Sequence, residues 1–204
     1  MAAGGLGTDR ENQEGDELTE YFVERDRMDS YAIVLYFDPE ASSNLQNTIN
    51  QLAVLTSNTY LIDVKIPPHI TVGCFLGESP EPMVETVETF LKRVEPFEVR
   101  FSGVGTFAPK VVFAAPVKDD CLKHINGLVN KMFLKNFQAA DQENYIPTKW
   151  VPHCALAVRL DEAQFREASV AEIELPAAAE CKKSHWHDVI RIRKSKCGSC
   201  KNHR

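Results

Sequence analysis

The sequence predicts an α+β protein built from two similar halves, and three observations lead to that prediction. Strand-like apolar runs begin at Tyr31 and Val111, which are 80 residues apart. Each run is followed by a segment with the three- and four-residue apolar spacing of a helix. Each half then reaches a Pro-His segment, with histidines at 69 and 153, which are 84 residues apart. Because the register drifts so little across the unit, the two halves indicate an internal duplication.

The first half reads as strand, helix, strand. Residues 31–37 are continuously apolar, which suits a strand covered on both faces. A helix is predicted from Ser42 onward, with its N-cap among residues 42–44. Its apolar face consists of Leu45, Ile49, Leu52 and Leu55. The chain then runs extended through Pro67 and Pro68 into the first histidine segment.

The second half repeats this order. Residues 111–117 form the apolar strand, and residues 122–133 carry helical spacing. Residues 149–158 are predicted to be the strand that holds the second histidine segment. The repeated strand-helix-strand unit therefore accounts for most of the predicted core.

Further elements connect and follow the halves. Pro82 opens a predicted helix, and alternating apolar residues at 97–101 predict a strand that Gly103 and Gly105 break. Residues 161–173 can form another helix. Residues 189–194 alternate apolar and basic side chains in the manner of a half-buried strand.

Length and composition bound the domain organisation. The chain has 204 residues, of which 44% are hydrophobic and 25% are charged, as expected for one globular domain with short tails. Residues 1–29 are predicted to be a disordered acidic leader, since they are rich in glycine and carboxylates and poor in apolar runs. Residues 30–196 form the predicted domain, and residues 197–204 a basic Cys-x-x-Cys tail.

Charge and cysteine content limit the partners and the compartment. The net charge of −6 argues against broad, nonspecific affinity for duplex nucleic acid, which depends on lysine and arginine. No run approaches the roughly 20 apolar residues that cross a bilayer, so we expect no membrane partner. The sequence shows no export signal, and its six cysteines need no disulfides, so a cytoplasmic location is expected.

The histidine segments place polar side chains on one face of each strand. Strand residues two apart share a face, so His69 and Thr71 point one way, and Ile70, Val72 and Cys74 point the other. The same alternation puts His153, Ala155 and Ala157 on one face, and Cys154, Leu156 and Val158 on the other. Two halves packed about a pseudo-twofold axis would bring the two polar faces to a shared cleft.

Two facing imidazoles can act as acid and base on one bond. Imidazole titrates near neutral pH, so one histidine can remove a proton from a nucleophile while the other protonates a leaving oxygen. A phosphodiester suits this chemistry, because the hydroxyl of Thr71 can donate to a phosphate oxygen. The scheme needs no metal and no cofactor. The alternative is that both are ordinary histidines near strand starts. Their equivalent positions in two equivalent halves favour the shared site over this alternative.

These motifs resemble those of the two-histidine (2H) phosphoesterase superfamily, whose mark is a pair of His-x-Thr/Ser-apolar motifs in a duplicated fold. The branch closest in layout comprises the bacterial and archaeal RNA 2′-5′ ligases and cyclic phosphodiesterases. The resemblance covers about residues 30–196 and includes the segment 101–107 with the following strand. It implies two lobes, each a curved antiparallel sheet with helices outside, and a central cleft that holds the histidines.

The resemblance also implies a function. Members open 2′,3′-cyclic phosphates at the ends of RNA or nucleotides, and some join RNA through a 2′-5′ bond. By this likeness His153 would be the base that activates water, His69 the acid that protonates the departing ribose oxygen, and Thr71 a ligand of a nonbridging oxygen. The expected partner is an RNA end or a nucleotide phosphodiester.

The second motif departs from the family pattern. Ala155 stands where threonine or serine is expected, and Val151 stands where many members have an arginine. Lys149, on the predicted strand two residues before Val151, could supply that charge. Losing a hydrogen bond to a charged group costs about 1.5–3 kcal/mol, which impairs a catalyst without abolishing it. The alternative function is therefore an impaired homologue that binds nucleotides or RNA ends.

Two further groups are candidates for ligand contacts. Tyr145 and Trp150 precede the second motif and could stack on a base, with core packing as the alternative. The C-terminal region carries enough soft ligands for a zinc site, with a flexible basic tail as the alternative. Those ligands are Cys181, His185, His187, Cys197, Cys200 and His203.

Overall fold

The computed structural model describes residues 28–95, 97–181 and 190–195. Almost all of the predicted leader, and the whole of the predicted tail, lie outside the described residues. Within them the strands are Asp29–Tyr36 (β1), His69–Gly77 (β2), Phe97–Phe107 (β3), Val111–Pro116 (β4), Gln138–Ala139 (β5), Cys154–Val158 (β6), Ala178–Cys181 (β7) and Ile190–Ser195 (β8). The helices are Pro39–Thr56 (α1), Tyr60–Asp63 (α2), Glu81–Leu91 (α3), Asp120–Phe133 (α4) and Glu162–Ser169 (α5).

The strands form two four-stranded antiparallel sheets, one in each lobe. The first has the order β5-β2-β1-β8, and the second has the order β6-β4-β3-β7. In each sheet a strand, a helix and an antiparallel return strand follow one another, as β1-α1-β2 and as β4-α4-β6. This arrangement confirms the predicted α+β class and its duplicated strand-helix-strand unit.

One apolar core joins the two sheets to their helices. Ile33 of β1 and Val112 of β4 belong to the same buried cluster as Leu45 of α1 and Leu122 of α4. Burying a side chain of this size contributes about 1.5–3 kcal/mol. The opposite face of the first sheet carries a smaller cluster that includes Ala32, Val34 and Cys74. Strand β1 is therefore covered on both faces, as its continuous apolar run predicts.

Helix α1 begins earlier than predicted. Asp38 is its N-cap and accepts a hydrogen bond from the backbone nitrogen of Ala41 at 2.9 Å, with Pro39 at the first helical position. The prediction of an N-cap among residues 42–44 was wrong, because the first turn carries no large apolar residue to reveal it. Aspartate followed by proline is the local signal for this start.

Strand β3 does not break at its glycines. It continues to Phe107, with a shift of register between Phe101 and Gly103, where Gly103 has φ of 140°. A side chain at Gly105 would place Cβ 2.5 Å from the ring of Phe113. The two glycines therefore allow a bulge and a close aromatic contact inside a continuous strand, which corrects the predicted break.

The second motif has a shorter strand than predicted. Residues 147–149 form a turn, and β6 begins at Cys154, so Lys149 lies outside the strand. Helix α5 likewise ends at Ser169 instead of residue 173. Among the described helices, none is long and apolar enough to cross a membrane.

Candidate active site

The two predicted histidines are held in the same way. His69 is the first residue of β2, and His153 directly precedes β6. The Nδ1 atom of His69 lies 2.8 Å from the carbonyl oxygen of Pro67, and the Nδ1 atom of His153 lies 2.8 Å from that of Val151. A carbonyl oxygen can only accept, so Nδ1 carries the hydrogen in both rings. Nε2 is then the nitrogen through which each imidazole exchanges protons.

Each motif strand also contains a β-bulge at the same place. In β2, Thr71 pairs with Val34 and Gly73 pairs with Ile33, which leaves Val72 as the extra residue. In β6, Ala155 pairs with Phe113 and Ala157 pairs with Val112. The extra residue there is Leu156, which is 84 positions after Val72. In each strand the extra residue comes directly after Thr71 or Ala155, and these matching bulges support the duplication at the level of backbone geometry.

The bulges correct two predicted side-chain directions. An extra residue reverses the alternation beyond it, so Cys74 returns to the face that carries Thr71. Cys74 lies in the smaller cluster with Ala32 and within 3.1 Å of the hydroxyl of Ser30. By the same reversal, Ala157 packs in the large core, instead of sharing the face of Ala155. Strict alternation was wrong for both residues.

Direct contacts join the two motifs. Strand β2 contacts β6, and the backbone N–H of His69 donates to the thiol of Cys154. Trp150 donates from its indole nitrogen to the carbonyl oxygen of Thr71 at 3.0 Å. The ring of Trp150 is only 2% exposed. The predicted stacking of Trp150 on a base is therefore wrong, because the ring lies in the core and bridges the halves.

Tyr145 links the first motif to a pocket beside the second. Its hydroxyl and that of Thr71 share a hydrogen bond. Burial, with the nearby carboxylate of Asp141 as a smaller cause, raises the pKa of Tyr145, so the phenol keeps its proton at neutral pH. A neutral phenol can donate a hydrogen bond to an anionic ligand.

The pocket beside His153 has a volume of about 350 Å³. It is lined by Phe107, Asp141, Asn144, Tyr145, Lys149, Val151 and His153. Three residues predicted from the sequence thus meet here, namely His153, Tyr145 and Lys149. Thr71 is connected to this pocket through its hydrogen bond to Tyr145. His69 is not among the residues that line the pocket.

Aromatic rings surround His153. Its ring meets that of Phe107 edge-on, with centroids 5.1 Å apart and planes at 88°, and lies 5.5 Å from the ring of Phe113. Burial lowers the pKa of His153, against the opposing effects of the Val151 carbonyl and the charge of Asp141. His153 is therefore neutral at pH 7, with Nε2 able to accept a proton. On the other motif, the ring of His69 has Tyr36 edge-on at 5.9 Å.

Lys149 reaches the pocket from a turn. Its Nζ lies 3.0 Å from a carboxylate oxygen of Glu143 and 3.4 Å from the carbonyl oxygen of Gln142. Both partners of the ion pair are about half exposed, which makes the pair weak in stability terms. The ammonium group stays available to an anion in the pocket, although it does not project from a strand as predicted.

The segment that Lys149 holds is a left-handed turn. Asp141, Gln142 and Glu143 have φ values of 51°, 53° and 61°. Left-handed backbone costs non-glycine residues roughly 1–2 kcal/mol each, and such strain concentrates at functional sites. The turn places Asp141 and the following Asn144 on the pocket wall.

Ala155 of β6 lies opposite Phe113 of β4. The two residues are register partners across β4 and β6. Phe113 is 5% exposed, and its centroid is 4.5 Å from that of Phe107. The position that carries a hydroxyl in the first motif therefore borders an aromatic surface in the second.

The sequence interpretation missed several residues at the site. Phe107, Asp141 and Asn144 line the pocket, yet none of them belongs to a histidine motif. The signal for Phe107 was the Ala-Pro-Lys sequence after it, which marks a hairpin tip between β3 and β4. No local sequence pattern predicts that Asp141 lines the pocket, because its position depends on a turn with three unusual φ values.

Comparison with known proteins agrees with this architecture. The model of the 2′-5′ RNA ligase superfamily matches residues 40–194, which is more than half of the chain. The chain therefore belongs to the 2′-5′ RNA ligase superfamily, a group of two-histidine phosphoesterases. This family assignment confirms the resemblance inferred from the two motifs.

Two bacterial proteins named "Putative phosphoesterase" are similar to parts of the chain. One, from Bacillus cytotoxicus, is 30% identical over 105 residues, which is 48% of this chain and 56% of the relative. The other, from Oceanobacillus iheyensis, is 28% identical over 129 residues, which is 62% of this chain and 71% of the relative. The match thus covers little more than half of the first relative's length.

Proposed function

We propose that the protein is a phosphodiesterase that opens 2′,3′-cyclic phosphates at the ends of RNA or nucleotides by acid–base catalysis between His69 and His153. The observation that carries the proposal is the matched pair of imidazoles. Each ring donates from Nδ1 to the carbonyl two residues before it, on two strands that touch. Family membership and the phosphoesterase names of the two relatives support the same reaction class.

The lowered pKa of His153 supports the assignment of the two imidazole roles. His153 is neutral because burial lowers its pKa, which favours its action as the base. Its Nε2 takes a proton from water as the water oxygen forms a bond to phosphorus. The bond from phosphorus to one ribose oxygen then breaks, and His69, in its protonated form, gives that oxygen a proton from Nε2. The two histidines supply both proton transfers, so the chemistry requires no metal.

Neighbouring groups are suited to holding the phosphate. The hydroxyls of Thr71 and Tyr145 are neighbours, and each can exchange its bond to the other for a bond to a nonbridging oxygen. Lys149 lines the same pocket as His153 and supplies positive charge. These three groups together compensate in part for the hydroxyl that Ala155 lacks.

The same site would support RNA joining when a different nucleophile enters. If the hydroxyl of a second RNA end replaces water, the base removes its proton, and the product is a diester instead of a monoester. The family name supports this direction as part of the proposal. Thiols at Cys74, Cys121 and Cys154, none of them in a disulfide, suit a cytoplasmic RNA substrate.

The test is turnover of nucleoside 2′,3′-cyclic phosphates, followed by phosphorus NMR. We expect monophosphate to accumulate with the wild-type protein and not with the His69→Ala, His153→Ala double variant. His124→Ala, at an exposed position of α4, is the matched control and should keep full activity. Equal turnover by wild type and double variant would refute the proposal.

A second candidate function is ligand binding with little or no turnover. It is favoured by the aromatic surface of Phe113 beside Ala155, where the first motif has a hydroxyl. In that case wild type would bind nucleoside monophosphates, and this binding would weaken in Lys149→Ala, while the cyclic phosphates would stay intact. Turnover that depends on both histidines would exclude this candidate.

A further inference from the structure

The pocket beside His153 has features of a nucleobase site. It combines an aromatic ring, Phe107, that is 39% exposed with a half-exposed apolar side chain, Val151. An exposed phenylalanine at a strand end offers a face on which a base can stack. The volume of about 350 Å³ lies within the range that small-molecule sites occupy. A phosphate reacting at Nε2 of His153 would carry its ribose and base into this space.

The two carboxylates of the turn at this pocket, Glu143 and Asp141, differ in whether they are paired with a positive charge. Glu143 is paired with Lys149 at 3.0 Å, whereas Asp141 forms no ion pair within the described parts of the chain. The charge of Asp141 acts on both His153 and Tyr145, which places its carboxylate near the inner wall. Asn144, three residues later on the same wall, adds an amide. The pocket therefore presents a carboxylate, which can only accept hydrogen bonds, to a base that stacks on Phe107.

The backbone conformation provides an independent indication. Three successive left-handed residues, 141–143, are held by hydrogen bonds from Glu143 N to Ala140 O and from Asn144 N to Asp141 O, at 3.0 and 3.1 Å. Lys149 adds the contacts to Gln142 and Glu143 described above. A conformation this unfavourable persists only where surrounding contacts impose it. Here its consequence is the position of Asp141 on the pocket wall.

A carboxylate distinguishes the four bases by their edges. Guanine presents two adjacent donors, N1–H and the N2 amino group, which match the two oxygens of a carboxylate. Adenine and cytosine place an amino group beside an acceptor nitrogen, and uracil places one N–H between two carbonyl oxygens. Each of these three bases sets at least one acceptor against a carboxylate oxygen. The carboxylate of Asp141 therefore favours guanine.

We propose that this pocket binds the nucleobase of the substrate and that Asp141 selects guanine through its two adjacent donors. The inference deepens the proposed function, since it assumes a nucleotide substrate at His153. Phe107 supplies stacking for any base, and Asp141 supplies the selection. Substrates that end in guanosine 2′,3′-cyclic phosphate are then the preferred class.

Calorimetric titration tests the selection without requiring turnover. The ligands are the 2′- and 3′-monophosphates of guanosine, adenosine, cytidine and uridine. We expect wild type to bind the guanosine compounds about tenfold more tightly than the others, as expected for a bidentate contact to a base. Asp141→Asn, which replaces one acceptor with a donor, should abolish that preference. Glu167→Gln removes the same charge from an exposed position of α5 and should leave the preference unchanged.

The outcomes separate this inference from the proposed catalysis. Equal affinity for all four bases, no binding of any of them, or a guanosine preference that survives in Asp141→Asn would overturn the nucleobase assignment. Turnover of all four cyclic phosphates at equal rates would overturn it while leaving the phosphodiesterase in place. Guanosine-selective binding that depends on Asp141, without turnover, would support the pocket and refute the catalytic function.

Discussion

The indole nitrogen of Trp150 donates a hydrogen bond to the carbonyl oxygen of Thr71 at 3.0 Å. Trp150 lies three residues before the second histidine, and Thr71 two residues after the first, so this bond ties one half of the duplicated site to the other. Its surroundings are buried, since Trp150 is 2% exposed. A buried hydrogen bond of this kind fixes the relative position of the two motifs more firmly than apolar packing alone.

Replacing Trp150 with phenylalanine should therefore affect both stability and turnover. The variant leaves the Thr71 carbonyl without its indole donor, which we expect to lower the free energy of unfolding by about 1–3 kcal/mol. Urea unfolding measures that change, and turnover of cyclic phosphates should fall as well. Phe133→Leu, a buried volume loss on α4, is the control that should lose stability but keep turnover. Equal turnover losses in both variants would contradict a positioning role for Trp150.

Tyr145→Phe isolates the hydroxyl that contacts Thr71. The ring and its packing stay, so the fold should be unchanged. Loss of one hydrogen bond should lower kcat roughly two- to tenfold, corresponding to about 0.5–1.5 kcal/mol. Steady-state kinetics on the cyclic phosphates measures the effect. Tyr60→Phe is the control, because the ring of Tyr60 lies 4.1 Å from the guanidinium of Arg159, and this variant should keep the wild-type kcat. An equal loss of kcat in Tyr60→Phe would contradict a catalytic contribution from the Tyr145 hydroxyl.

Ala155→Thr restores the hydroxyl that the second motif lacks. Position 155 is on the same face as His153, so a threonine there can donate to a phosphate oxygen in the way proposed for Thr71. We expect turnover to rise by about tenfold or more, since such a bond contributes about 1.5–3 kcal/mol to a charged group. Ala155→Val is the control, because it has the same shape without the hydroxyl. The prediction fails if both variants change the rate alike.

The pKa of His153 should be visible in solution. Burial lowers it, so the C–H proton signals of this ring should titrate below the ordinary value of about 6.5 in an NMR series, with His153→Gln used for assignment. The unfolded chain then binds a proton at a higher pH than the folded protein. Stability from the neutral ring is complete above about pH 6.5 and is lost as the pH falls through the folded-state pKa. Titration above that value would contradict the assignment of His153 as the neutral base.

Local spacing was enough to predict that His69 and Thr71 share one strand face and that His153 and Ala155 share another. The relations from His69 to Thr71 and from His153 to Ala155 span two residues of a strand, and two residues always share a face when no bulge intervenes. Beyond the bulges at Val72 and Leu156 that rule reverses. For this reason the directions of Cys74 and Ala157 could not be predicted from alternation.

Features that depend on contacts between distant parts of the chain could not be predicted from the sequence. The position of Trp150 just before the second motif predicted a ligand contact, but its burial against Thr71 depends on how the two lobes pack. Asp141 reaches the pocket only through a left-handed turn, a conformation that residue types Asp-Gln-Glu do not favour. Both features arise from tertiary contacts, which a pattern along the chain does not contain.

The most direct measurement of the central claim is the turnover of nucleoside 2′,3′-cyclic phosphates by His69→Ala, by His153→Ala and by the variant that carries both changes. If the two imidazoles act as one acid–base pair, each single variant should lose nearly all activity, and the double variant should lose little more, because paired catalytic groups are strongly non-additive. Wild-type turnover in either single variant, or losses that multiply in the double variant, would contradict a shared His69–His153 site.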